Sequence, residues 1–162
     1  MSLASVVRAS YICRMGYDRP FKGAKIALIV GGRLLVVRRD VDKPIPWPGY
    51  LDLPGGGREN GESPLACALR EAREEIGLVV SPGDVSWRRW YDGEIPAWFF
   101  LAHLHPARAG EIRFGNEGQG WDLVRPADYL ADATAVPHFR SRLRDAMTGT
   151  GMMRGEADRQ VG

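Results

Sequence analysis

The 162-residue chain predicts an α/β fold, a mixed β-sheet with helices packed against it. Three observations carry that expectation. Apolar runs over residues 24–30 and 33–39 flank Gly31-Gly32, a two-residue link of hairpin type. A helix from Pro64 to about Ile76 is marked at both ends: Ser63 stands as N-cap, Pro64 occupies the first helical position, and Gly77 stops the helix. Two further strand-like segments, 85–91 and 97–104, follow across the turn-forming Asp92-Gly93-Glu94. Strands therefore outnumber helices and alternate with them.

The remaining elements are weaker. Val6, Val7, Tyr11 and Ile12 outline one irregular strand within an N-terminal arm, residues 1–23. Residues 40–57 contain Pro44, Pro46, Pro48 and Pro54 and are expected to be irregular for most of their length. A short strand over 119–124, a helical turn over 127–130 and an amphipathic helix over 138–147 complete a domain spanning 24–147. The glycine-rich, polar stretch 148–162 is expected to be a disordered tail.

Composition excludes several function classes. A net charge of +2 lacks the concentrated basic surface of a nucleic-acid coat, so no nucleic-acid partner is expected. It leaves room for a small anionic substrate, which needs only a few local cations. Two cysteines, Cys13 and Cys67, and three histidines form no metal-type spacing, and no disulfide framework is expected. Nothing resembles a signal peptide or an apolar run long enough to span a membrane, which makes the cytoplasm the default location. Oligomeric state is open, with a dimer among the options.

The chemistry concentrates between Gly56 and Leu78. On the helix, Glu71, Glu74 and Glu75 stand at i, i+3 and i+4 and share one face, within an arc of roughly 100°. Leu65, Ala68, Leu69, Ala72 and Ile76 form an apolar stripe beside them. Like charges at this spacing destabilise a helix, and partial burial would push one carboxyl to keep its proton. A divalent cation reverses the sign of that interaction. Hard oxygen ligands without His or Cys suit Mg²⁺ or Mn²⁺, and Mg²⁺ commonly completes its shell with substrate phosphates. A charged run such as Arg70 to Glu75 is by itself more often a solvated face. Three neighbours argue for more: the glycines 55–57 upstream, Glu62 at the loop–helix junction, and Arg70, placed to pair with Glu62.

This stretch resembles the Nudix box, G-x5-E-x7-R-E-U-x-E-E-x-G-U, where U is a bulky apolar residue. Gly56, Glu62, Arg70, Glu71, Glu74, Glu75 and Gly77 match it, and Ala72 is smaller than usual at the first apolar position. The likeness extends to the segment 51–56 before the box and to Gly115-Asn116-Glu117-Gly118-Gln119 after it, which is similar to the MutT-type branch. The resemblance implies a Nudix fold, an α/β/α sandwich around a mixed sheet. It also implies that Glu71, Glu74 and Glu75 bind the metal with help from the Gly55 carbonyl. Glu117 would supply a further ligand or the catalytic base, and Glu62 and Arg70 would hold the loop to the helix. Gly56 and Gly77 would serve structure.

The expected reaction is metal-dependent hydrolysis of a nucleoside diphosphate linked to X, foremost a nucleoside triphosphate, oxidised or not, giving monophosphate and pyrophosphate. Alternatives are ADP-ribose, nucleotide sugars or dinucleoside polyphosphates, and, from another class, a module that binds nucleotides without catalysis. Arg38 and Arg39, at the end of the second strand, are candidates for steadying phosphates. Trp47, in the proline-rich loop, is the best candidate for stacking a base, and His138 and Phe139 are placed to line the same pocket.

Overall fold

The computed structural model describes residues 17–152. The irregular strand expected around Val6 to Ile12, and most of the expected tail, lie outside that range. Ten elements follow in order: β1 (Gly23–Val30), β2 (Arg33–Arg38), β3 (Leu51–Asp52), β4 (Gly55–Gly57), α1 (Pro64–Ile76), β5 (Val85–Tyr91), β6 (Ala97–Leu104), β7 (Gly120–Val124), α2 (Pro126–Ala131) and α3 (Pro137–Gly149). α3 runs two residues past the expected end at Met147.

Gly31 and Gly32 turn the β1–β2 hairpin with φ of 57° and 80°, backbone that only glycine takes up readily. The hairpin then splits. Only Ile29↔Leu34 and Val30↔Arg33 pair across it. Beyond them β3 takes over as partner of β2, and β4 as partner of β1. The segment from Leu51 to Gly57 thus fills a fork between the two strands. Pro54 sits at its bend, where a missing N–H costs no ladder bond, and its carbonyl accepts from the Ile26 N–H at 2.8 Å. The loop expected to be irregular therefore ends in two short strands, because each finds an open edge.

On its other edge β1 pairs in parallel with β6, β6 pairs antiparallel with β5, and β7 pairs antiparallel with β2. The sheet is mixed. Alternation along β1 divides the core: Ile26, Leu28 and Val30 join Cys67, Ala68, Ala72 and Ile76 of α1, while Ala27 and Ile29 join Tyr129, Phe139, Leu143 and Met147 from α2 and α3. Both sheet faces are covered, which makes an α/β/α sandwich and explains why β1 and β6 read as nearly unbroken apolar runs. The buried stripe of α1 includes Cys67, which the sequence pattern left out. Leu65 and Leu69, expected in the stripe, are only partly buried at its edge.

Candidate active site

The carboxylates of α1 are set by the ends of the helix. Ser63 accepts from the Ala66 N–H at 3.2 Å, and Gly77, at φ 69°, closes the last turn by donating to the Arg73 carbonyl. Arg70 then gathers the acids. Its Nη2 donates to Glu62 Oε1 at 2.8 Å and to the Gly57 carbonyl at 2.8 Å, and its Nε reaches Glu62 Oε2 at 3.0 Å. Its Nη1 reaches Glu71 Oε1 at 3.1 Å and Glu74 Oε2 at 3.0 Å. Arg70 therefore ties the loop to the helix as expected, and also engages two of the three acids expected to hold a cation. The guanidinium draws the Glu62 carboxyl down to about 2. Gly56 has a steric reason: a Cβ there would stand 2.7 Å from Glu71 Oε1. Among the described residues, no three His, Cys, Asp or Glu side chains close on one point as a metal site.

Glu75 sits deeper. Burial raises its carboxyl well above the ordinary carboxylate range; Glu71 and Asp52 add to the rise, and the Lys25 charge offsets part of it. Glu117 arrives from forty-two residues downstream on a loop stapled at both ends. The Gly115 N–H donates to the Glu75 carbonyl at 2.8 Å. The Gly118 N–H donates to Asp40 Oδ2 at 3.0 Å, and the Gln119 N–H to the Arg38 carbonyl at 2.9 Å. Glu71, Glu74, Glu75 and Glu117 accordingly line one cavity of about 300 Å³.

The fork supplies what the sequence reading missed. Asp52, buried at its centre, accepts from Lys25 Nζ at 3.0 Å, from Arg39 Nη1 at 2.6 Å and from the Leu53 N–H. Two cations share one carboxylate, leaving surplus positive charge beside Glu75. Lys25 Nζ also donates to the Gly55 carbonyl at 3.1 Å, the oxygen that the resemblance assigns to a metal. Lys25, Arg39, Lys43, Glu75 and Glu117 line a second cavity of about 220 Å³, continuous in its walls with the first. Arg38 is not brought there. Successive strand residues point to opposite faces, and Arg38 instead donates to the Gly49 carbonyl at 2.7 Å and lines a groove with Trp121. A signal for the missed pair was present, since Lys25 and Asp52 each interrupt an apolar run and carry opposite charges.

A third cavity of about 370 Å³ opens past Lys25 and Arg39. Trp47, His138 and Phe139 meet in its wall, with the Trp47 and His138 rings 6.4 Å apart and the His138 and Phe139 rings 4.2 Å apart. The exposed Ile95 and the half-buried Arg142 complete that wall. Burial lowers the His138 imidazole below its ordinary value, with the Arg142 charge adding to the effect.

The NUDIX domain family model matches residues 20–145. The chain belongs to the Nudix family. It is 36% identical over 115 residues to "Nudix hydrolase 25" of Arabidopsis thaliana, covering 68% of this chain but only 57% of that protein. It is 32% identical over 123 residues to an RNA pyrophosphohydrolase of Rhodospirillum rubrum, covering 73% of this chain and 67% of the relative. Among solved structures, the MutT protein from Methanosarcina mazei Go1 aligns with a TM-score of 0.66 at 20% identity, over 82% of this chain and 97% of that one. That last likeness speaks for the fold, and the Nudix sandwich is the one described above.

Proposed function

We propose that this chain hydrolyses a nucleoside diphosphate linked to X, foremost a nucleoside triphosphate to the monophosphate and pyrophosphate. One observation carries the reading: three cavities adjoin through shared walls, the first lined by Glu71, Glu74, Glu75 and Glu117, the second by Lys25, Arg39 and Lys43 together with Asp40, Asp52 and the shared Glu75 and Glu117, the third by aromatic rings beside Lys25 and Arg39. A nucleoside polyphosphate has the same order of parts, from metal-bound phosphate through free phosphate to base.

The donor set fits Mg²⁺ or Mn²⁺. All four side chains offer hard oxygens, and the burial that raises the Glu75 carboxyl is a penalty that a bound cation would relieve. Glu71, Glu74 and Glu75 would hold the ion, Glu71 and Glu74 exchanging Arg70 for it. A bound divalent ion supplies charge neutralisation on the diphosphate and makes a bound water more acidic. Glu117, on its stapled loop, takes the proton from the attacking water. Lys25 and Arg39, held by Asp52, steady the phosphate that stays with the nucleoside. Arg70 and Glu62 keep the loop seated on α1 while Glu71 changes partners. Trp47 and Phe139 bind the base by stacking, worth about 1–3 kcal/mol.

The test is a panel of nucleoside triphosphates, ADP-ribose, nucleotide sugars and dinucleoside polyphosphates with Mg²⁺ or Mn²⁺, scored separately for phosphate and pyrophosphate. Pyrophosphate release from triphosphates that stops on chelation is the expected result. A protein that turns over nothing in the panel with either metal would refute the reading, and binding without turnover would identify a nucleotide-binding module.

A further inference from the structure

Arg142 is the group that the reaction leaves unexplained. It is half-buried in the wall of the aromatic cavity, one turn along α3 from His138. Its guanidinium lies 4.5 Å from the centre of the Tyr91 ring and 5.8 Å from that of Phe139, so it packs against two aromatic rings. Tyr91 is itself anchored, its hydroxyl donating to Asp145 Oδ2 at 2.7 Å. Among the described residues, the Arg142 guanidinium meets no carboxylate or carbonyl. The rings shield part of the guanidinium, and its N–H donors stay open to a ligand entering the cavity.

The surroundings narrow what those donors want. Among the described residues no carboxylate lines the cavity, while Lys22, Lys25 and Arg39 stand in the same wall as further cations. Lys25 and Arg39 share the single charge of Asp52, and Lys25 also faces Glu75. An aromatic-lined space with surplus positive charge suits a base that carries an anion of its own. The anion cannot belong to the 5′ phosphate chain, which the carboxylate and lysine cavities take. Lys25 Nζ lies 5.2 Å from the Phe139 ring centre on the phosphate side, and Arg142 lies 5.8 Å from the same centre, so at most about 11 Å separates them. That separation is within the span of a single nucleotide.

We propose that the aromatic cavity binds a nucleotide bearing a second phosphate away from its 5′ chain, and that Arg142 is the residue that selects for it. This rests on the reading of the chain as a nucleotide hydrolase and narrows its substrate class. A bidentate guanidinium–phosphate contact is charge-assisted and stronger than a contact with a neutral carbonyl. The second phosphate comes either from a 3′-phosphorylated mononucleotide or from the next residue of an oligonucleotide.

Equilibrium binding tests this without any turnover, so its failure is separable from failure of the hydrolase reading. AMP is compared with adenosine 3′,5′-bisphosphate, GMP with guanosine 3′,5′-bisphosphate, and the dinucleotide pApA with AMP, by calorimetry on the full chain with Mg²⁺. Wild type is expected to bind each bisphosphate at least tenfold tighter than its monophosphate. Arg142→Met is expected to erase that preference, and Arg142→Lys, should the Met variant fold poorly, to reduce it. Arg144→Met, which removes the same charge from an exposed position on α3, is expected to keep it. A gain for pApA equal to that of the bisphosphate would assign the second phosphate to an oligonucleotide, and no gain would assign it to a mononucleotide. Equal binding of mono- and bisphosphates by wild type overturns the proposal. So does a preference that survives in Arg142→Met, or an Arg142-dependent choice between GMP and AMP with no effect of the extra phosphate.

Discussion

Replacing Glu62 by Gln removes one charge from the clamp that seats the glycine loop on α1. In the folded protein Arg70 draws the Glu62 carboxyl from an ordinary value of 4.5 to about 2. At about 1.4 kcal/mol per pH unit, the gap between those values is worth about 3 kcal/mol. The pair lies near the rim, with Arg70 22% and Glu62 14% exposed, so solvent screening reduces the expected loss to about 1–2 kcal/mol. For a chain of this size that lowers Tm by roughly 2–8 °C. The sign with pH follows from a depressed acid. Its stabilisation is complete above the ordinary value of 4.5 and fades as pH falls toward 2. Urea unfolding of wild type and Glu62→Gln, in chelator across pH 7 to about 2.5, should show a stability gap that closes through that window. Equal stability at pH 7, or a gap of the same size at the lowest pH, would refute the electrostatic account.

Three other outcomes are expected. Glu117→Gln should lower kcat by about 10²–10⁴-fold with little change in substrate affinity, as for a positioned base; steady-state kinetics showing an unchanged kcat would send the search for the base to Glu71 or Glu62. Glu75→Gln should abolish most turnover yet raise the Tm of the metal-free protein at neutral pH, because an acid raised in the fold loses stability as pH climbs above its ordinary value of 4.5, where the unfolded chain ionises; a lower Tm in EDTA would contradict this. Cys67, buried against the Gly56 and Gly57 carbonyls with its thiol pushed up to about 12 by burial, should resist alkylation until global unfolding. Peptide mapping of the native protein would reveal the failure as early labelling at that position.

The sequence carried the regular elements because their signals are local. Ser63, Pro64 and Gly77 bracket α1 where expected, and the segments 85–91 and 97–104 became β5 and β6 unchanged. It placed Trp47, His138 and Phe139 in one pocket, where the structure has them. Local pattern could not show that the hairpin splits, because Ile26 to Leu28 look equally apolar whether β2 or another strand lies alongside. Without the fork, Lys25, Asp52 and Arg39 have no reason to meet. Arg38 and Arg39 looked equivalent for the same reason: only the pairing of β2 decides which faces the carboxylates. Arg142 was invisible as a binding candidate, since its isolation depends on where Tyr91 and Asp145 lie.

The wedge from Leu51 to Gly57 also bears on how such a protein changes over generations. Its amides and carbonyls bond to β1 on one side and β2 on the other, so the wedge cannot melt locally without tearing the sheet. The bend before it, residues 40–50, is tied at separate points instead: Asp40 accepts from the Gly118 N–H, and the Pro46 and Gly49 carbonyls accept from Arg39 and Arg38. The Trp47 ring between those ties packs on Tyr50 and His138 and lines only the third cavity, so that ring can change without disturbing the carboxylates. A wedge locked into the sheet and a ring with freedom to vary thus stand side by side in one chain.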